Sequence, residues 1–138
     1  MCAVHRVLCD KDSKFFLNYE PLRLTATLNG ANEVPSPGDA DGVGTATIRV
    51  NPGREQVCYI ISVTGIAPAT MAHIHEAVAG SSGPVVVSLA VPTSGTSQGC
   101  VTISRELAKE IIQDPSEYYV NVHNAEFRPG AVRGQLGT

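Results

Sequence analysis

A chain of 138 residues with a net charge of −3 suits one folded domain and offers no basic stripe for nucleic acid. Its longest apolar runs, such as "PVVVSLAVP", fall well short of the roughly 20 residues that a membrane-spanning helix needs. Thirteen glycines and nine prolines divide the chain into short segments, which favours many strands joined by turns over a helical bundle.

Residues 1–21 show no regular hydrophobic period, and we predict a poorly ordered N-terminal extension there. The opening "MCAVHRVLCDKDSKFF" lacks the apolar core of a secretory signal and carries charges where that core would lie. Three explanations stay open: the signal has been removed, the start is misassigned, or the protein is cytosolic.

From residue 22 onward the chain alternates apolar and polar residues in short runs, the period of half-buried strands. The loops "ANEVPSPGDADG" and "TSGTSQG" interrupt the runs. About eight strands at this spacing predict an all-β sandwich or barrel over residues 22–138. The predicted strands are "LRLTATLNG", "VGTATIRVN", "EQVCYIISVTG", "MAHIHEA", "GPVVVSLA", "CVTIS", "EYYVNVHN" and "AVRGQLG".

One short helix is predicted in "SRELAKEIIQDP". Ser104 is suited to cap its N-terminus, and Pro115 cannot continue it. Leu107, Ile111 and Ile112 form an apolar stripe that can pack on the sheet.

Four cysteines are present, of which Cys58 and Cys100 lie in strand-like segments. We predict a buried disulfide between them, which requires an oxidising compartment; the alternative is two buried thiols. Cys2 and Cys9 allow a short-loop bridge or free thiols on the extension, and we favour free thiols.

The histidines carry the clearest chemical pattern. Because strand side chains alternate, His73 and His75 share one face of "MAHIHEA", opposite Ala72 and Ile74. Asn121 and His123 likewise share a face of "YYVNVHN" with Tyr119, opposite Val120 and Val122. If the two strands are neighbours, three imidazoles converge on the face away from the core, toward solvent or a cleft.

Three imidazoles suit copper or zinc with a coordination position left open, and copper has the higher intrinsic affinity for nitrogen ligands. The alternative is that these are ordinary exposed histidines. Nearby polar side chains either hydrogen-bond such a site or form a solvated rim with surface ion pairs. They are Glu76, Asn121, Asn124, Glu126 and Arg128. No phosphate-binding loop, dinucleotide fingerprint or nucleophile elbow is present.

Taken together, "TATLNGANEVPSP", "VCYIISVTGIAPATMAHIHEA", "GPVVVSL", "GCVT" and "YYVNVHNAEFRPGAVRGQL" resemble the CHRD domain, the domain of chordin. The resemblance covers about residues 22–138. It implies an exported domain that lies outside the cell, in a periplasm or at the cell surface, and that binds partners.

"AHIHEA" and "NVHNAEFRPG" are also similar to copper-ligand strands of copper/zinc superoxide dismutases. That similarity implies a Greek-key barrel, with His73, His75 and His123 as copper ligands and Arg133 near a substrate-steering position. Residues 77–122 contain no bridging histidine, and the zinc ligands are missing. Arg133 and Gln135 are alternatively outward residues of an edge strand, and Glu33 is alternatively a carboxylate that anchors a loop.

Three functions follow as expectations. The first is a secreted, non-catalytic domain with a mononuclear copper site at His73, His75 and His123, with zinc as the second metal. The second is a metal-independent module that binds a secreted or surface protein through a sheet face or the "NEVPSPGDADG" loop. The third is a copper enzyme acting on superoxide or another oxygen species.

Overall fold

The computed structural model describes residues 7–9 and 15–138, with side chains described from residue 20 onward. One α-helix and ten strands are present in this part of the chain. The strands are β1 (Val7–Cys9), β2 (Phe15–Tyr19), β3 (Leu22–Asn29), β4 (Val43–Asn51), β5 (Gln56–Thr64), β6 (Ala69–Glu76), β7 (Val85–Leu89), β8 (Thr96–Thr102), β9 (Tyr118–Asn124) and β10 (Val132–Gln135); the helix is α1 (Arg105–Gln113).

Eight strands form one antiparallel sheet that curls into a nearly closed barrel, in the order β7-β6-β9-β10-β3-β4-β5-β8. The two ends of the sheet approach each other: the backbone N–H of Ala90, just after β7, donates to the Tyr59 hydroxyl of β5, the strand next to β8, at 2.7 Å. The all-β prediction is therefore confirmed. Within this order β6 and β9 are neighbours, the condition that the histidine prediction required.

The barrel interior is filled by alternate apolar residues from every long strand, as the period of two requires. On β3 the inward residues are Leu22, Leu24, Ala26 and Leu28, each at most 6% exposed. The remaining core residues include Ala46, Ile48, Val50, Val57, Ile61, Ala72, Ile74, Val120, Val122 and Val132. Because Ala72, Ile74, Val120 and Val122 point inward, the histidines of β6 and β9 must point outward.

The helix packs against the sheet as predicted, next to β4. The Ser104 side chain accepts a hydrogen bond from the Leu107 backbone N–H, at 3.0 Å, and so satisfies one of the free N–H groups of the first turn. Ala108, Ile111 and Ile112 are buried. A short 3₁₀ turn at Pro115–Glu117 follows the helix and leads directly into β9.

One local prediction is wrong. The segment "TSGTSQG" was expected to be a loop, but its second half belongs to β8, where Thr96–Gly99 pairs with Tyr59–Ser62 of β5. Pairing with a strand already in the sheet outweighs the weak strand propensity of Ser, Thr and Gly. The alternative that Arg133 and Gln135 lie on an edge strand is excluded as well, because β10 lies between β9 and β3.

In the N-terminal extension, the backbone of β1 pairs antiparallel with β2, and these two short strands were not predicted. The alternatives for Cys2 and Cys9 lie outside the described side chains, as does His5.

The predicted disulfide between Cys58 and Cys100 is present, but the prediction that it is buried is wrong. Val57 and Tyr59 point into the barrel, so Cys58 between them points outward. Cys100 lies directly opposite Cys58 on β8 and is exposed. The bond therefore joins the two strands on the outer surface of the barrel.

Candidate metal centre

The outer face of β6, β9 and β10 carries a compact array of polar and aromatic side chains. Strand register places His73, Asn121 and Arg133 in one row across the three strands. His75, Tyr119 and Gln135 form the next row. At the other end of the array, Met71 lies opposite His123. Residues far apart in sequence are thus neighbours because β9 is the central strand of the three.

The three predicted histidines converge. One ring nitrogen from each of His73, His75 and His123 lies within 4.8 Å of the other two. Nδ1 of His73 and Nε2 of His123 are 3.2 Å apart. Two nitrogens at about 2.0 Å from a tetrahedral metal would be about 3.3 Å apart, so this pair already has the required spacing.

Hydrogen bonds to backbone carbonyls determine which nitrogens are available. Nδ1 of His75 lies 2.8 Å from the Gly83 carbonyl oxygen, and Nδ1 of His123 lies 2.7 Å from that of Arg128. A carbonyl oxygen can only accept, so each Nδ1 carries the proton and each Nε2 keeps its lone pair. Metal-binding histidines are held in this way, with the distal N–H donating to a carbonyl.

Burial keeps two of these imidazoles in the form that binds metals. The pKa of His73 is lowered by desolvation and then by the nearby His123 and His75 rings. The pKa of His75 is lowered mainly by desolvation, and the hydrogen bond that its Nδ1 donates to the Gly83 carbonyl opposes this change. Both rings therefore stay neutral at pH 7, and binding a metal there need not displace a proton.

Two buried polar atoms beside the histidine cluster lack hydrogen-bond partners. Nε2 of His75 is one, and Oδ1 of Asn121 is the other; the Asn121 side chain lies close enough to His75 to oppose the lowering of its pKa, but neither atom has a hydrogen bond of acceptable geometry. Buried polar atoms are rarely left unsatisfied in folded proteins, since each costs roughly 1–3 kcal/mol. A metal ion bound by the three imidazoles would use the lone pair of His75 Nε2, so the residues present fit a copper or zinc ion.

Tyr119 and Arg133 support His75 from the side of β9 and β10. The rings of His75 and Tyr119 are stacked, with centroids 4.8 Å apart and planes 3° apart. The guanidinium carbon of Arg133 lies 3.4 Å from the Tyr119 ring centroid. Because β9 lies between β6 and β10, Tyr119 is contacted by His75 from one side and by the Arg133 cation from the other.

Arg133 is only 1% exposed, because the loop between β6 and β7 covers it. Its guanidinium donates to the Val78 carbonyl at 3.0 Å and to Oε1 of Gln135 at 2.9 Å. Gln135 in turn donates to the Ala77 carbonyl at 3.0 Å. A substrate-steering role for Arg133 needs access to solvent, which this burial removes; the residue instead holds the loop that carries Gly83.

Glu33 is buried on the same side of the barrel, near Arg133 and Asn121. Its Oε2 has no hydrogen-bond partner. The carboxylate packs directly on Gly130, where any side chain would overlap it. Desolvation raises its pKa from 4.5 to about 7, although the Arg133 charge and the Asn121 side chain oppose the rise. Glu33 is thus a buried, readily protonated group, and more than a surface loop anchor.

This burial predicts a pH-dependent stability that Glu33→Gln should remove. Because the pKa of Glu33 is higher in the folded state, its protonated form stabilises the fold fully below pH 4.5, and this contribution is lost as the pH rises through about 7. The loss corresponds to about 3 kcal/mol. Urea unfolding of the metal-free protein between pH 4.5 and 8.5 measures it, with Glu33→Gln gaining on the parent as the pH rises.

The exposed residue Glu126 supplies the matched control, because Glu126→Gln should leave the pH profile unchanged. The lowered pKa values of His73 and His75 make the fold more stable as the pH rises, which is the opposite of the Glu33 effect. The parent, Glu33→Gln and Glu126→Gln all share this contribution, so it cancels in the comparison. Parallel profiles for the parent and Glu33→Gln would show that the buried carboxyl does not titrate in this range.

The other predicted neighbours lie away from the histidines. Glu76 is exposed and paired with Tyr118, on the opposite face of β6 from His75. Asn124 lies on the core face of β9, where its side chain bonds Phe127 and Ala67. Glu126 is exposed in the turn after β9. Of the polar residues that were predicted near the histidines, Asn121 and Arg133 are thus the two in the array.

The groups that sequence reasoning missed are mostly backbone atoms. The Gly83 and Arg128 carbonyls orient His75 and His123. Every residue has a backbone carbonyl, so the sequence does not indicate which carbonyl will accept a hydrogen bond from a histidine. For Arg128, a side-chain role was expected, whereas its backbone makes the contact. Tyr119 was placed on the correct face, but its stacking between His75 and Arg133 was not predicted.

Comparison with known proteins now places the chain. A family model described as the CHRD domain matches residues 24–136, so the chain belongs to this family and the resemblance seen in the sequence is confirmed. No curated protein matches the chain.

Membership of the CHRD family supports a binding or interaction module. Together with the Cys58–Cys100 disulfide, it favours an extracellular location. In the described part of the chain, no helix is long and apolar enough to cross a membrane.

Proposed function

We propose that this CHRD domain is a secreted copper-binding domain, with one metal ion held by Nδ1 of His73 and Nε2 of His75 and His123. The observation that carries the proposal is the pair of carbonyl hydrogen bonds, which leave a lone pair on Nε2 of both His75 and His123, the latter in hydrogen-bonding contact with Nδ1 of His73. The three imidazoles lie on the neighbouring strands β6 and β9, so the proposed site needs little rearrangement to take a metal.

We propose copper rather than zinc because of the donor atoms that the site offers. All three ligands are nitrogen atoms, and copper(II) exceeds zinc in intrinsic affinity for such ligands. When bound, copper would supply redox chemistry as well as charge. The protein's own contribution is to orient the rings and to limit solvent access through Tyr119 and the loop after β6.

Titration of the chelator-stripped domain with copper and zinc, followed by calorimetry, tests this proposal. We expect one tight copper equivalent, with nitrogen hyperfine structure in the electron paramagnetic resonance spectrum of Cu(II). At free copper 100 times above Kd, the bound ion should stabilise the fold by about 2.7 kcal/mol.

Single alanine substitutions of His73, His75 and His123 should each weaken binding, and the triple variant should abolish the tight site. His5→Ala is the matched control, since His5 is the fourth histidine of the chain and is not one of the proposed ligands. Copper binding by the triple variant as tight as that of the parent would overturn the proposal.

A metal-independent contact surface is the second candidate. The observation that favours it is a groove of about 470 Å³ on the outer face of β3, β4, β5 and β8. Arg23, Arg49 and the exposed Ile60 line it beside the disulfide. Partner binding that survives both chelation and the triple histidine substitution would favour this candidate, whereas strict metal dependence would count against it.

An enzyme acting on superoxide or another oxygen species is the third candidate. It is distinguished by assaying the copper-loaded domain against free copper at equal concentration. Activity no higher than that of free copper would dismiss it.

A further inference from the structure

Met71 extends the histidine array at its open end. Ala72 and Ile74 point into the core, so Met71 shares the outer face of β6 with His73 and His75. Strand register places Met71 directly opposite His123. Residues paired in this way have Cβ atoms about 4.5–5.5 Å apart, and the three rotatable bonds of methionine let its sulfur reach over such a neighbour.

The surroundings of Met71 leave its thioether accessible. The side chain is 48% exposed, although the residue is apolar. Met71 and His123 together line a cavity of about 340 Å³ at this end of the array. The opposite end, at His75, is closed by Tyr119 and Gly83. An ion or ligand reaching the histidines from this cavity therefore passes the methionine.

The charges around the cluster favour an ion of low charge. Within the described residues, the three-histidine group contains no carboxylate, so its donors are neutral. The buried Arg133 cation lies 3.4 Å from the centroid of the Tyr119 ring, which stacks on His75. A divalent ion would meet twice the repulsion of a monovalent one, and would lose more hydration energy on entering this partly buried site.

We propose that the Met71 sulfur is the fourth donor of the histidine site, and that it makes the site select Cu(I). The inference rests on the proposed function, since it requires copper at His73, His75 and His123. Thioether sulfur is a soft ligand that favours Cu(I), while imidazole accepts Cu(I), Cu(II) and zinc alike. The methionine thus gives the site a selectivity for one oxidation state of copper, which the imidazoles alone would not provide.

Met71→Leu tests the role of the sulfur while keeping the size and apolarity of the side chain. Cu(I) affinity is measured anaerobically by competition with the chromogenic chelator bicinchoninate, with ascorbate as reductant so that the disulfide is left intact. We expect Met71→Leu to weaken Cu(I) binding by about tenfold, the scale of a lost supporting interaction at a metal site. Zinc affinity, measured by calorimetry, should stay within about twofold, since the protein ligands of zinc are thiolate, imidazole and carboxylate groups and not thioethers.

Ile60→Met in the Met71→Leu background is the matched control. Ile60 is 54% exposed on β5, in the groove lined by Arg23 and Arg49. The Ile60→Met substitution restores an exposed thioether to the protein, but in a groove to which no histidine contributes. The Cu(I) affinity of this double variant should therefore equal that of Met71→Leu.

The outcomes separate this inference from the proposed function. Equal Cu(I) affinity in the parent and Met71→Leu, with histidine-dependent copper binding in both, would overturn the role of Met71 alone. Equal losses of Cu(I) and zinc affinity would assign Met71 a packing role and also overturn the selectivity. Absence of histidine-dependent copper binding in the parent would overturn both.

Discussion

Replacing Arg133 with methionine should lower the free energy of unfolding by about 3–5 kcal/mol, the cost of removing one partner from a buried charged network. Methionine keeps most of the apolar volume but donates no hydrogen bond. The Val78 carbonyl and Oε1 of Gln135 would each lose a donor. Glu33 would lose the positive charge that opposes the rise in its pKa, and would become still harder to ionise.

The same substitution should weaken metal binding, although Arg133 is not expected to contact the ion. Arg133 and Gln135 bond Val78 and Ala77, at the start of the loop that carries Gly83. The Gly83 carbonyl in turn orients His75. Loss of such an indirect contact costs about 10–100-fold in affinity at metal sites. Copper calorimetry and urea unfolding of the metal-free protein measure the two effects separately.

Arg133→Lys is the informative companion variant. Lysine keeps the positive charge near Glu33 but cannot present the planar fork that donates to Val78 and Gln135 while lying over Tyr119. We expect it to recover part of the stability and little of the copper affinity. If Arg133→Met binds copper as tightly as the parent, the loop does not depend on Arg133 for its position, and His75 is oriented by other contacts.

The convergence of the histidines could be predicted because a strand repeats every two residues. His73 and His75 must share a face, and the apolar residues between and beside them identify the opposite face as the core. The same argument orients His123 on β9. What the alternation cannot supply is which strands are neighbours; that prediction was conditional, and the pairing of β6 with β9 satisfies the condition.

The burial of the outer face could not be predicted from the same pattern. Tyr119, Asn121 and Arg133 are all at most 3% exposed, although they point away from the core. Their cover comes from two loops distant in sequence: the one containing Glu33, and the one from Ala77 to Gly83. Periodicity assigns a residue to a face of the sheet, and only the tertiary structure shows whether a loop lies over that face.

The disulfide was mispredicted in the opposite sense, since burial was expected where the structure shows exposure. Cysteine is so often a core residue that burial was expected for Cys58 and Cys100. Yet the strand "QVCYIISVT" already fills the core with Val57, Tyr59, Ile61 and Val63. Applying the alternation to this strand as strictly as to the histidine strands would have placed Cys58 on the outer face.

Removing this disulfide should cost about 4 kcal/mol of folding stability, although it lies on the surface. Cys58 and Cys100 are 42 residues apart, and closing a loop of that length restricts the unfolded chain by about this amount. The stabilisation acts on the unfolded state, so Cys58→Ser/Cys100→Ser should keep the native fold and its copper stoichiometry. Urea unfolding of the parent and the double variant measures the difference.

Reduction supplies the control, because the exposed Cys100 should let a thiol reductant reach the bond in the folded protein. The reductant should bring the parent to the stability of the double variant and leave the variant itself unchanged. A difference below about 1 kcal/mol between the oxidised parent and the variant would mean that the unfolded chain already holds β5 and β8 together. A variant that loses copper stoichiometry would instead show that the bond shapes the native barrel as far as the histidine face.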